Sequence, residues 1–175
     1  PKDGDFCQFD SFAQDGVVDW FKGNHYEKHG HNVKAAVDFL QSKNPNQPVG
    51  VLGFCFGSWL LSKASATGDA DFKCAVGCHP ATVLEKAVFG GDEVAMMEGL
   101  QQPTRFLWAG NDSTDYINGG VLQKALEKSG GGVIEYKDML HGWVSRGDVQ
   151  DKTVKAAVEK SMEEIMEFFE KHMSS

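Results

Sequence analysis

Three residues whose side chains together can perform acyl transfer are spread along this sequence: Cys55, Asp112 and His141. A thiolate attacks carbonyl carbon, an imidazole takes up and returns the proton, and a carboxylate steadies the imidazole. Cys55 stands in Gly53-Phe54-Cys55-Phe56-Gly57, between an apolar run that begins at Val49 and a segment with helical spacing. A turn this tight asks for small residues two places either side of its centre and holds the central residue in a strained backbone. It also sets the sulfur at a helix N-terminus, where free N–H groups and the helix dipole favour thiolate over thiol. Asp112 lies in Gly110-Asn111-Asp112 and His141 in His141-Gly142-Trp143. Each has a bland reading when taken alone: a buried cysteine, a turn or capping aspartate, a solvated histidine. Their joint occurrence just after three predicted strands points to a catalytic constellation. Asp115 is the reserve for the acid.

The elements that must position these groups follow from periodicity. Residues 1–24 read as loop with a short helix near 15–22, rich in Gly, Asp and scattered aromatics. Val33, Ala36, Val37 and Leu40 give one face of a helix over about 25–42, ended by Asn44-Pro45-Asn46. A strand at 48–54 and a helix at 56–67 flank the cysteine, and Gly68 suits a left-handed cap. Further strands are expected at 72–78, 104–109 and 132–138, with weak helical signals at 82–88 and 91–100 and a helix at 117–129. A last helix over 150–172 places Val154, Ala157, Val158, Ser161, Met162, Ile165 and Phe169 inward. Strands alternating with helices at this interval mean βαβ units and a parallel sheet covered on both faces. Functional residues then collect at the carboxyl ends of the strands. No repeat, linker or low-complexity tract divides residues 1–175, so a single domain is expected.

Composition excludes several classes of function. With 41% hydrophobic and 24% charged residues this is an ordinary globular chain, and its formal charge of −8 argues against nucleic acid or an anionic membrane as partner. No apolar run approaches the roughly 20 residues that span a bilayer. Cys7, Cys55, Cys74 and Cys78 form no metal-type pair, which fits a reduced, cytoplasmic protein. Cys74 and Cys78 are roughly 13 Å apart along a strand, too far to bridge. His25 and His29 sit one helical turn apart, but Glu27 is at the wrong offset for a metalloprotease motif, and solvated surface is the expectation. The expected number of bound metals is none.

Gly53-Phe54-Cys55-Phe56-Gly57, Gly110-Asn111-Asp112 and His141-Gly142-Trp143 together resemble the dienelactone hydrolase family, particularly its eukaryotic members. The order nucleophile, acid, histidine is that of the α/β-hydrolase fold. The resemblance covers nearly the whole chain. It implies an α/β-hydrolase-like parallel sheet with helices on both faces, and a cysteine hydrolase that opens a small lactone, ester or thioester without a cofactor. It implies Cys55 as nucleophile, His141 as general base and acid, Asp112 as the group orienting His141, and the Phe56 N–H as an oxyanion donor. Trp143 stands where the family usually has Phe and is expected at the substrate pocket. Arg146 is the candidate for a substrate carboxylate, and His79, which ends a strand on the functional edge, is a candidate for lining the pocket. The family's fold begins with further strands before the helix at 25–42. Those strands, a second oxyanion donor and a glutamate near the thiol are therefore expected to lie outside this chain, leaving an N-terminally incomplete domain with an uncovered sheet edge.

A rival reading from another class makes the chain a catalytically silent member of the fold, with a protein partner in a larger assembly. Cys74 and Cys78 are expected as buried strand residues and Cys7 as an incidental thiol. The pairs Met96/Met97 and Met162/Met166 are expected in the core, and Glu159, Glu163, Glu164, Glu167 and Glu170 on a solvated face.

Overall fold

The computed structural model describes residues 16–174; Cys7 and the aromatics Phe6, Phe9 and Phe12 lie outside them. Four parallel strands form one sheet in the order β1-β2-β3-β4: β1 Gly50–Phe54, β2 Cys74–Cys78, β3 Thr104–Ala109 and β4 Gly132–Tyr136. Each strand lies beside its successor, so every connection crosses over in the same sense. The helices of these connections therefore share one face. They are α3 Phe56–Thr67, α4 Leu84–Ala87, α5 Glu93–Glu98 and α6 Val121–Lys128. Two helices precede the sheet, α1 Val17–Lys22 and α2 Tyr26–Lys43. Two follow it, the single turn α7 Trp143–Arg146 and the long α8 Lys152–Met173.

The period of two along each strand divides the core into layers. From β3, Phe106 and Trp108 point to the connecting helices and meet Trp59, Leu84, Met97, Leu122 and Leu126. Leu107 and Ala109 point the other way and join Cys74, Val76, Cys78 and Tyr136 under Ile165 and Phe168 of α8. A third cluster, with Val37, Leu61, Ala64 and Phe72, packs α2 against α3 and the start of the sheet. All five residues of β2 are buried. Helices thus cover both faces, as expected.

Coverage fails at β1. Its one strand partner among the described residues is β2, and Leu52 and Phe54 are exposed. Between that edge and α2 runs an apolar groove of about 410 Å³, lined by Val33, Ala36, Leu40, Val51 and Leu60 among others. Leu40, expected inward, is 48% exposed because its helical face looks into this groove.

Helix phase departs from the expectation in two further places. Met162 and Met166 are not core residues: they are exposed on α8, whose buried line runs Ser161, Ile165, Phe168. The apolar stripe of α8 is wider than the sheet beneath it, and the methionines fall on its open flank. Helix α6 starts at Val121 rather than 117, because residues 114–116 form a 3-10 turn. No helix among the described residues is long and apolar enough to cross a membrane.

The turn from β1 into α3 explains one of its glycines. A Cβ on Gly53 would stand 2.4 Å from Leu61 Cδ2 and 2.6 Å from the backbone of Gly57, whereas a Cβ on Gly57 would meet open space. Gly53 is what allows helix and strand to close on each other. Gly53→Ala is therefore expected to lower folding stability by about 1–3 kcal/mol, with Gly57→Ala much milder. Urea unfolding of the two variants checks this; equal losses would mean that the contact at Gly53 does not set the turn.

Candidate active site

Cys55 sits at the junction of β1 and α3 with φ 51° and ψ −115°. A non-glycine residue there is strained, and the surroundings hold it in place. Its N–H donates to the Cys78 carbonyl at 3.1 Å, continuing the ladder to β2. Its carbonyl accepts from the Ser58 N–H at 2.9 Å and from the Ser58 Oγ at 2.6 Å. The thiol is half-buried at the start of α3, whose first-turn N–H groups have no intrahelical acceptor. Cys74 and Cys78 are fully buried, and burial pushes their thiols up to about 11 and about 12. They stay protonated and enclosed. Of the described cysteines, Cys55 alone is placed for reaction.

Asp112 follows β3 and His141 follows β4, and the parallel register of those strands brings both loops to the edge that carries Cys55. The loops approach closely enough that a Cβ on Gly110 would lie 2.0 Å from the Lys137 carbonyl oxygen. His141 Nδ1 and Asp112 Oδ1 are 2.6 Å apart, and the two side chains are only 1% and 2% exposed. The other carboxylate oxygen of Asp112 accepts from the Ala109 N–H at 2.9 Å, which leaves the group little freedom to turn. Burial by itself disfavours the charged imidazole of His141. The hydrogen bond it donates to Asp112, then the hydrogen bond with Cys55, then the charges of Asp112 and Cys55, outweigh it and hold the pKa above the ordinary 6.5. A carboxylate and a thiol thus act on one buried imidazole.

The loop beneath Asp112 is fixed from the core side. Trp108 Nε1 donates to the Ser113 carbonyl at 2.9 Å, and the buried Tyr116 hydroxyl meets Thr82 Oγ1. Asp115, the reserve acid, turns back on Ser113 and is exposed. One contributor was not singled out from the sequence: Asn111, whose Oδ1 accepts the His141 backbone N–H at 2.6 Å. The signal was its place beside Asp112 in a turn that must satisfy the loop it meets.

The remaining candidates separate. The Phe56 N–H heads α3, as an oxyanion donor requires, and its ring stacks on Phe21 with centroids 5.8 Å apart and tilts against Trp59 at 5.1 Å. Trp143 is 3% exposed and packs on Tyr136 at 4.4 Å inside the layer under α8, and it also borders the cavity beside His141. Arg146 is exposed, and it borders a cavity of about 280 Å³ with His141 and Gly142. His79 is fully enclosed rather than lining an open pocket; its ring lies 4.9 Å from that of His141. His25 pairs with Glu27 and His29 with Asn24. Among the described residues no group of three or more His, Cys, Asp or Glu could hold a metal ion.

Comparison with known proteins bears on the fold and the family. No curated protein matches the chain. Among solved structures, the acylaminoacyl peptidase of Pyrococcus horikoshii in its orthorhombic crystal form superposes with a TM-score of 0.54 at 16% identity, over 79% of this chain and 27% of that one. Its uncomplexed structure gives 0.51 at 16% identity, over 78% and 26%. The likeness shows a shared α/β-hydrolase fold, and this chain spans about a quarter of the length of those peptidase chains. The model of the dienelactone hydrolase family matches residues 13–173, nearly the whole sequence. The chain belongs to the dienelactone hydrolase family.

Proposed function

We propose that this chain carries the catalytic centre of a cysteine hydrolase acting on a small lactone, ester or thioester. The observation that supports it most is the buried 2.6 Å contact between Asp112 and His141, with Cys55 acting on the same imidazole. Asp112 accepts from Nδ1, which leaves Nε2 for the proton of the thiol. The Cys55 sulfur attacks the substrate carbonyl carbon as its proton passes to His141. The Phe56 N–H stabilises the oxyanion, and the imidazolium protonates the leaving oxygen or sulfur as the carbon–heteroatom bond breaks. Water, deprotonated by the same imidazole, then attacks the thioester and releases the acid. Arg146, at the mouth beside His141, is the group that would meet a carboxylate on the substrate.

Hydrolysis of p-nitrophenyl acetate by the full-length protein tests the assignment. Cys55→Ala is expected to abolish turnover, and limiting iodoacetamide to label Cys55 before Cys74 or Cys78. Asp112→Asn is expected to lower kcat by roughly 1,000- to 10,000-fold, because the amide no longer selects the productive tautomer. Undiminished activity in Cys55→Ala would end the proposal.

The pH dependence follows from His141. As the base it must be neutral in the free enzyme, so kcat/KM is expected to rise as pH increases through its pKa, with the acid limb centred above 6.5. Asp112→Asn removes the raising hydrogen bond and should move that limb to lower pH. A limb that ignores Asp112 would assign the titration to another group.

A further inference from the structure

The register that pairs Phe54 with Cys78 brings His79 abreast of Cys55, one residue further along each strand. Both have left-handed backbones, φ 51° at Cys55 and φ 39° at His79. Non-glycine residues are uncommon there, and two side by side at the ends of neighbouring strands mark a place where the fold accepts strain. The His79 N–H nevertheless donates to the Leu107 carbonyl at 2.8 Å, so the residue is firmly tied into the sheet.

Its ring is 0% exposed and lies between Phe54, at 6.0 Å, and His141, at 4.9 Å with the planes 66° apart. Among the described residues no other residue gives either ring nitrogen a hydrogen-bond partner. Burying unsatisfied polar atoms is costly, and a requirement of shape alone is met more cheaply by leucine or phenylalanine. The nitrogens therefore need an account, and the nearest ring that changes charge during the proposed reaction is His141.

We propose that His79 is a positioning residue for His141, a permanently neutral imidazole whose dipole stabilises the protonated form of its neighbour and whose ring holds that neighbour between Asp112 and Cys55. This rests on the reading of His141 as the base. Among the described residues, the charged and titratable groups acting on the pair include Asp112 and Cys55 around His141, and His141 and Arg146 around His79; Phe54, on the far side, is neutral. Burial, then the charges of His141 and Arg146, push His79 down to about 3, so it does not repel the imidazolium it faces. In a site of low dielectric, a fixed neutral dipole beside a cation acts more strongly than it would in water.

The test follows His141 directly, by NMR titration of its imidazole Cε1–H, alongside kcat/KM against pH with p-nitrophenyl acetate. In His79→Leu, or in His79→Ala where leucine does not fold, the pKa of His141 and the acid limb are expected to move together to lower pH by about one unit. kcat should fall about tenfold with KM within about twofold. His79→Asn, which tolerates the left-handed backbone and keeps a dipole, should recover part of the shift. A His141 pKa that does not move in a folded apolar variant overturns the proposal. So does a loss carried by KM alone, which would make His79 a substrate contact. The NMR titration needs no turnover, so it reports on His79 separately from Cys55→Ala, whose retained activity would overturn the hydrolase reading itself.

Discussion

The site depends on one contact, the hydrogen bond between Asp112 and His141, 29 residues apart in the chain and 2.6 Å apart in space. A carboxylate buried this deeply needs its acceptors filled. The Ala109 N–H takes one oxygen and the His141 ring the other, so one carboxylate ties the loop after β3 both to itself and to the loop after β4. Adjacent parallel strands make the meeting possible. Gly110 lets the backbones approach, and Asn111 holds the histidine's own N–H. Remove the register between β3 and β4 and none of these contacts has a reason to form.

Much of this was legible because its signals are local. The helix after the cysteine runs Phe56–Thr67, with Gly68 at φ 71°, and the third strand runs Thr104–Ala109; both are bounded by residues that stop an element for steric reasons. The triad candidates were legible for a different reason. A parallel sheet turns order along the chain into position along one edge, so three residues just after three strands must meet or nearly meet. What stayed hidden depends on neighbours. Periodicity shows that Leu40 and Met162 lie on apolar faces, but whether a face is covered depends on the layer opposite. Trp143 next to a histidine reads as a pocket wall; it borders the cavity beside His141, but most of its indole is buried against Tyr136. Asn111 and His79 carry no motif of their own; each matters only through the group it meets.

Burial across the sheet is uneven, and the unevenness falls on the proposed nucleophile strand. β2 is buried along its whole length, while of β1 only Gly53 is buried. β4, at the other edge, likewise has one buried residue, but β1 exposes two large apolar side chains, Leu52 and Phe54. The stiffness of β1 comes from its pairing with β2, from the Cys55 N–H on the Cys78 carbonyl, and from the close packing of Gly53 on Leu61 and Gly57. The tight turn does more here than present Cys55. It packs β1 directly on α3, whose inner face is buried in the core.

The two histidines pull stability in opposite directions, in separate pH windows. His141 has a raised pKa when folded, so its contribution is full below 6.5 and is lost as pH rises through the folded value. His79 has a depressed one. As pH falls from 6.5 toward about 3, the unfolded chain takes up a proton that the folded chain refuses, and stability falls by up to about 1.4 kcal/mol per unit. The two effects meet in a maximum above 6.5, where the unfolded His79 has given up most of its proton and His141 still favours the fold. The imidazole that burdens the protein in acid is the one set against His141. An apolar side chain of similar size would not carry that acid penalty; the proposed positioning role is what would offset it.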